Sequence, residues 1–247
     1  RLGDPNVPLT PRGWMQADKA GEFLKKFYDE NPSPSGKTGQ WPLIKVSSFV
    51  RPKQTLSGIF NSIIAHGGLK GKPLIHNEID LIELGYGLMP NLKTGDERID
   101  PQLRQKFADM SKLAHENAPV QSAPPFGEAP MDQYNRVKRF AANLKAGADA
   151  GEYDDVLIVS HGHTMRNFLM SWFELPMDAW EELRKRKVDN CDVMVIEQNE
   201  KGEWTVETIF DGGTGQPTSY KPLEGIRRKE IDPADLPEVP AFLKRKL

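Results

Sequence analysis

The sequence is short of several things, and each shortage closes off a class of protein. Cys191 is its single cysteine, so no disulfide framework is available and a reducing compartment, the cytoplasm, fits the chain. No stretch of about 18 apolar residues occurs, which excludes a conventional membrane-spanning helix. The 33 Lys and Arg residues nearly balance 35 Asp and Glu, for a formal charge of −2. No global field therefore argues for nucleic acid or a membrane surface as a partner. Internal repeats and low-complexity arms are absent. An initiator methionine is absent too: the chain opens at Arg1 in turn-rich sequence, "RLGDPNVPLTPRG". The reading expects residues upstream, which would also carry any targeting segment.

What is present is an ordinary globular composition, 38% hydrophobic and 28% charged over 247 residues, enough to bury one large core. Thr10-Pro11 reads as an N-cap and a first-turn proline. Trp14, Ala17, Ala20, Phe23, Leu24 and Phe27 then recur at helical spacing to about Tyr28. "NPSPSGKTGQ" (31–40) is a polar loop, "WPLIKVSSF" (41–49) a strand, and "RPKQTLSGIFNSIIAH" (51–66) a helix stopped by Gly67 and Gly68. A short extended run lies within 73–83. Residues 88–130 form a long polar excursion with one helix at 102–117, and 131–144 is a further helix. Asp155–Ser160 is the clearest strand, followed by helices from about Thr164 and Met177. Cys191–Phe210 patterns as a hairpin turning at Asn199–Gly202. From Pro217 a Pro-rich tail is expected to wrap the body and end in an amphipathic segment, 241–247.

Strands alternating with helices predict a mainly parallel sheet covered on both faces, a three-layer α/β/α sandwich. The expected division is one domain over 1–216, with the 88–130 excursion as a lid-like insertion, and an extension at 217–247. In such sheets ligands bind beyond the carboxyl ends of the strands. Arg51 ends one strand segment and opens a helix, where its guanidinium and the bare helix N–H groups suit an oxyanion; a solvated first-turn arginine is the plainer alternative. His161 stands where the best strand stops, as a ligand, a catalyst or a satisfied structural histidine. Gly162 lets a bound group approach the backbone, and His163 offers chiefly its backbone N–H. Glu83, between Leu81 and Leu84, is placed to be partly buried, and burial raises a carboxyl pKa toward proton-donating range. His66, His76 and His115 read as surface residues. The His161-Gly162-His163 pair could share a metal, but no carboxylate follows in Thr-Met-Arg-Asn and one cysteine supplies few thiols, so a metal-dependent hydrolase is the inferior reading.

An arginine, a histidine and a protonatable glutamate around one anion pocket suit phosphoryl transfer without metal or other cofactor. Several segments resemble the histidine phosphatase superfamily, phosphoglycerate-mutase-like branch. "PLTPRGWMQADKAGEFL" resembles its first-helix stretch, and "VSSFVRPKQT" its serine- and arginine-bearing motif, with Pro52 for the usual alanine. "LIELGYG" resembles its glutamate motif. "FGEAPMDQYNRV" resembles its Gly-Glu-Ser segment and the helical arginine after it, with Ala129 for serine. "VLIVSHGHTMR" resembles the second-histidine motif, and "VDNCDVMVIE" the asparagine-led last strand. The segments keep the family's order from residue 8 to about residue 197.

The resemblance implies a phosphoglycerate-mutase-like fold and a phosphohistidine route. A histidine in an Arg-His-Gly motif attacks phosphorus, a second histidine and arginines hold the oxygens, and a glutamate protonates the leaving oxygen. By matching position Arg51 is a phosphate-binding arginine, Glu83 the general acid and later base, and His161 the second histidine. Gly162 and His163 would supply backbone N–H groups. The sequence contains no Arg-His-Gly, so the nucleophile is expected upstream of residue 1. The leading reading is a metal-independent phosphomonoester hydrolase with a small-molecule substrate. A phosphoglycerate-type mutase is second, and a catalytically inactive phospho-ligand-binding pseudoenzyme third. Lys53, Lys93 and Arg98 are candidates for a second anionic group, with solvated side chains the default. The cluster at 184–187 reads as a helix face rather than a nucleic-acid site. The sequence leaves the oligomeric state open, a homodimer bridged by the Pro-rich tail being one form.

Overall fold

The computed structural model describes residues 5–32, 40–87, 100–118, 120–186 and 188–226. Lys93, Arg98, residue 187, the first part of the 88–130 excursion, the His115 side chain and the tail from 227 lie outside the described residues.

Helix α1 (Pro11–Glu30) begins as its sequence demands: the Thr10 side chain accepts the Gly13 N–H, and Pro11 sits in the first turn. Its buried face runs Ala17, Ala20, Leu24 and Tyr28, at helical spacing. Strand β1 (Leu43–Ser47) leads into α2 (Val50–Ala65), and α1 packs along α2. The crossing is tight: a Cβ on Gly21 would lie 2.6 Å from the Ile59 carbonyl oxygen. Strand β2 (Leu74–Glu78) and a 3-10 turn (Ile79–Leu81) follow, then α3 (Pro101–Asn117) and α4 (Pro130–Asp149). Strand β3 (Val156–Val159), α5 (Gly162–Trp172) and α6 (Ala179–Lys185) complete the α/β part.

The parallel sheet has the order β2-β1-β3, with Leu43 opposite both Leu74 and Val156. Alternation along the strands divides the core in two. Ile44, Val46, Leu157 and Val159 pack with Leu24, Tyr28, Leu56, Ile59 and Ile63 of α1 and α2. Val156 and Ile158 pack with Val137, Phe140 and Leu144 of α4 and Phe168 and Trp172 of α5. Helices thus cover both faces, giving the three layers expected.

A second sheet is antiparallel: β4 (Val193–Gln198), β5 (Trp204–Asp211) and β6 (Gln216–Tyr220). The β4–β5 hairpin closes at Asn199, whose side chain accepts the backbone N–H groups of Lys201 and Glu203. Strand β6 departs from the sequence reading, which starts the tail at Pro217. Pro217 lies opposite Phe210 inside the sheet, and ordered structure continues through Tyr220. A proline is tolerated there because β6 is an edge strand.

The two sheets face each other through side chains rather than hydrogen bonds. Phe210 and Val193 join the α1/α2 cluster, and Ile196 joins the α4/α5 cluster. Among the described residues β3 pairs only with β1, and β4 only with β5, so each keeps one unpaired edge. Among the described residues no helix is long and apolar enough to cross a membrane.

Candidate functional site

Three parallel strands deliver the candidate residues to one edge. Ser47 ends β1, and Arg51 follows in the first turn of α2. Beyond β2 and the 3-10 turn comes Glu83, and just past β3 come His161, Gly162 and His163 at the start of α5. Because the strands are parallel, their carboxyl ends share one edge of the sheet.

His161 is buried, 9% exposed, with its ring against Phe49 at 5.3 Å between centroids. Its Nε2 lies 3.0 Å from Ser47 Oγ. Ser47 Oγ also accepts the Phe49 N–H, at 3.4 Å. Burial, and then the positive charges of Arg51 and Arg136, push the His161 pKa down to about 3.

Glu83 is equally buried. Burial raises its carboxyl pKa, opposed by the Leu84 N–H at 3.0 Å, the Gln133 side chain, the His163 N–H and the charge of Arg51. Arg51 therefore lies within electrostatic reach of both Glu83 and His161. An arginine that disfavours a second cation at His161 also favours an anion between them.

The sequence reading assigns the His163 amide to a bound anion. In the structure that N–H is directed at Glu83 instead. The His163 ring lies against Trp180, with Nδ1 2.6 Å from Gln133 Oε1, and its pKa falls to about 4, chiefly through burial. One ring nitrogen of His161 and one of His163 thus each has its own protein partner. A cation-sized cluster among the described residues is elsewhere, at Asp189, Asp192 and Asp211.

Several supporting residues carry no role in the sequence reading. Gln133 is fully buried; it donates to Thr164 Oγ1 and accepts from Asn167 Nδ2, both at 3.0 Å. Thr164 donates to the Ile82 carbonyl, tying the Glu83 segment to α5. Arg136 makes a two-pronged pair with Glu128, 2.7 Å and 2.9 Å, and donates to the carbonyls of Asp80 and Glu83. The "FGEAPMDQYNRV" resemblance contains both partners of this pair, but only coordinates show what they brace. Gly87, at φ +52, lets the chain pass the 124–128 loop: a Cβ there would lie 2.1 Å from the Pro125 carbonyl oxygen.

Of the other candidates, Lys53 lines a separate cavity of about 310 Å³ with Val46, Leu56, Phe60, Ile75 and Asn77. His66 and His76 are exposed, as expected; His66 Nδ1 lies near the Ser62 carbonyl and His76 Nδ1 near Lys45.

Known proteins resemble this chain in sequence and in fold. Phosphoglycerate mutase-like protein AT74 of Arabidopsis thaliana is 26% identical over 212 residues, 82% of this chain and 60% of that protein. This chain thus spans about 60% of that relative's length. Among solved structures, a putative alpha-ribazole-5'-P phosphatase from Escherichia coli superposes with a TM-score of 0.58 at 20% identity, over 84% of this chain and 86% of that one. A mycobacterial glucosyl-3-phosphoglycerate phosphatase gives 0.54 at 19%, over 84% and 89%. These structural likenesses establish the fold. The family model for histidine phosphatases, branch 1, matches residues 2–212, and the chain belongs to the histidine phosphatase superfamily.

Proposed function

We propose that this chain forms the main body of a metal-independent phosphomonoester hydrolase working through a phosphohistidine. What supports the reading is that Arg51, Glu83 and His161 follow three parallel strands to one sheet edge, where the charge of Arg51 acts on both of the others. Arg51 binds phosphoryl oxygens, and His161 donates to the same group. The amide of Gly162, at the start of α5, adds a further donor, while the His163 amide steadies Glu83. The nucleophilic histidine comes from a segment outside residues 1–247. The unpaired edges of β3 and β4, whose side chains already share both core clusters, support a further strand lying between them.

In the first step the histidine nitrogen bonds to phosphorus as the ester P–O bond breaks, and protonated Glu83 gives its proton to the departing oxygen. In the second, the Glu83 carboxylate takes a proton from water as the water oxygen bonds to phosphorus and the P–N bond breaks. Catalysis of this kind rests on alignment and charge complementarity around a loose transition state. The Arg-Pro-Lys-Gln-Thr form of the α2 segment favours the phosphatase reading, and no mutase-type segments are recognisable between Glu83 and the late strands.

The test is hydrolysis of 4-nitrophenyl phosphate by the full-length protein in chelator, with acid quenching to trap the enzyme. Turnover with an acid-labile phosphoenzyme is expected. Turnover abolished by chelator sinks the metal-free reading; isomerisation of a phosphoglycerate without free phosphate, in a parallel assay, indicates a mutase; phosphate binding without turnover indicates a phospho-ligand binder.

A further inference from the structure

Gln133 stands in the first turn of α4, fully buried, beside Thr164 and Asn167 of α5, which are buried too. The buried residues that follow it on α4, Val137, Phe140, Ala141 and Leu144, are apolar, so packing alone calls for another apolar side chain here. A buried amide is unfavourable unless its polar atoms are paired, and these are. Nε2 donates to Thr164 Oγ1 at 3.0 Å; Oε1 accepts from Asn167 Nδ2 at 3.0 Å and lies 2.6 Å from His163 Nδ1. Thr164 Oγ1 in turn donates to the Ile82 carbonyl at 2.8 Å.

The direction of this chain of bonds follows from its far end. A carbonyl only accepts, so the single Thr164 proton goes to Ile82, and Thr164 must accept from the Gln133 NH2. Turning the amide over would leave one hydroxyl proton between two acceptors and set its NH2 against that of Asn167. Gln133 Oε1 therefore faces His163, whose Nδ1 carries a proton. The same residues meet at Glu83. Thr164 holds the backbone just before it, the Leu84 N–H meets its Oε1 at 3.0 Å, and the Gln133 side chain and the His163 N–H both reach its carboxyl. One buried amide thus touches the Glu83 carboxyl directly and its backbone through Thr164.

We propose that Gln133 is a positioning residue for Glu83: through its own amide and through Thr164 it holds the carboxyl where its proton can pass to the departing ester oxygen. This rests on the phosphohydrolase reading above, in which Glu83 is the acid. A network of this kind, with each member paired, specifies one arrangement of the side chain it surrounds. Arg51 from α2, Arg166 from α5 and Tyr86 also act on Glu83, and Arg136 from α4 meets its carbonyl. All four remain when Gln133 or Thr164 is changed.

The experiment measures kcat/KM against pH for 4-nitrophenyl phosphate, whose leaving group needs no proton, and for phenyl phosphate, whose leaving group does, on the full-length protein. Gln133→Met keeps the shape and removes the amide. Its loss should be about tenfold greater on phenyl phosphate, as a misplaced acid predicts. The alkaline limb of its profile should move to higher pH, because a donor that favours the Glu83 carboxylate is gone. Thr164→Val should shift the ester ratio the same way, and Thr164→Ser, which keeps the hydroxyl, should restore it; this pair decides if Gln133→Met fails to fold. Equal losses on both esters with the limb unmoved make Gln133 a packing residue and overturn the proposal, while sparing the hydrolase reading. If the wild type hydrolyses neither ester, the hydrolase reading falls, and titration of the Glu83 carboxyl ¹³C signal decides the rest. A midpoint raised in Gln133→Met supports the hold of Gln133 on Glu83; an unmoved midpoint overturns it.

Discussion

Ser47 Oγ and His161 Nε2 stand 3.0 Å apart, although 114 residues separate them in the chain. This contact joins the ends of β1 and β3 and gives the buried imidazole a fixed partner. Both groups are buried, so neither has bulk water as a substitute partner. Ser47→Ala should destabilise the fold by about 1 kcal/mol and leave the imidazole without its fixed partner. Thermal unfolding reads the first effect. A double-mutant cycle with His161→Ala reads the second in kcat/KM: the serine substitution should matter far less once the histidine is gone. Additive losses would place Ser47 outside the site.

Burial raises the Glu83 carboxyl pKa above its ordinary value, the direction a general acid needs. Glu83→Gln keeps the shape and removes the proton chemistry. Loss of a general acid typically lowers rate by about 100-fold or more, and the loss should be larger for alkyl phosphates than for 4-nitrophenyl phosphate, whose leaving group needs no proton. Equal losses on both substrates would count against the acid role.

The Arg136–Glu128 pair has side-chain exposures of only 11% and 22%. Removing one partner leaves a mostly buried charge, and Arg136→Met should destabilise by about 3 kcal/mol. The double substitution with Glu128→Gln should recover part of that loss in a thermal melt. The prediction fails if the single variant melts with the wild type.

Acid should weaken the fold. His161 and His163 have native pKa values of about 3 and about 4, against an ordinary 6.5. The unfolded chain therefore takes up protons below about pH 6.5 that the native state refuses, and stability falls from there down toward pH 4. Glu83 works the other way. Its raised native pKa means that the folded state takes up its proton first on acidification, which offsets part of the loss. Melting temperatures between pH 7.5 and 4.5 should fall in the wild type and fall less steeply in His163→Gln. Parallel curves would contradict the assignment.

How much was legible follows from range. Thr10-Pro11, the apolar spacing of α1 and the Asp155–Ser160 run are local signals, and the elements lie where those signals put them. Arg51, Glu83 and His161 could be singled out because each follows a strand segment, and the carboxyl ends of parallel strands share one edge. Gln133, Arg136 and Ser47 were not, because their meaning lies in partners such as Thr164, Glu128 and His161, which no periodicity reports. Strand β6 was missed because "QPTSY" is polar and carries a proline; its pairing with β5 is a long-range outcome. The amide of His163 was read as an anion donor because helix starts usually face ligands, and only the burial of Glu83 beside it shows the other use.

The central claim is that Arg51, Glu83 and His161 surround one phosphoryl-sized anion. The most direct measurement is titration of inorganic phosphate while following the imidazole ¹⁵N signals of His161. The account predicts a saturable shift, with the His161 protonation midpoint rising as the anion offsets Arg51, and loss of that response in Arg51→Ala. Phosphate that leaves the His161 signals unmoved, or moves them equally without the Arg51 guanidinium, would contradict it.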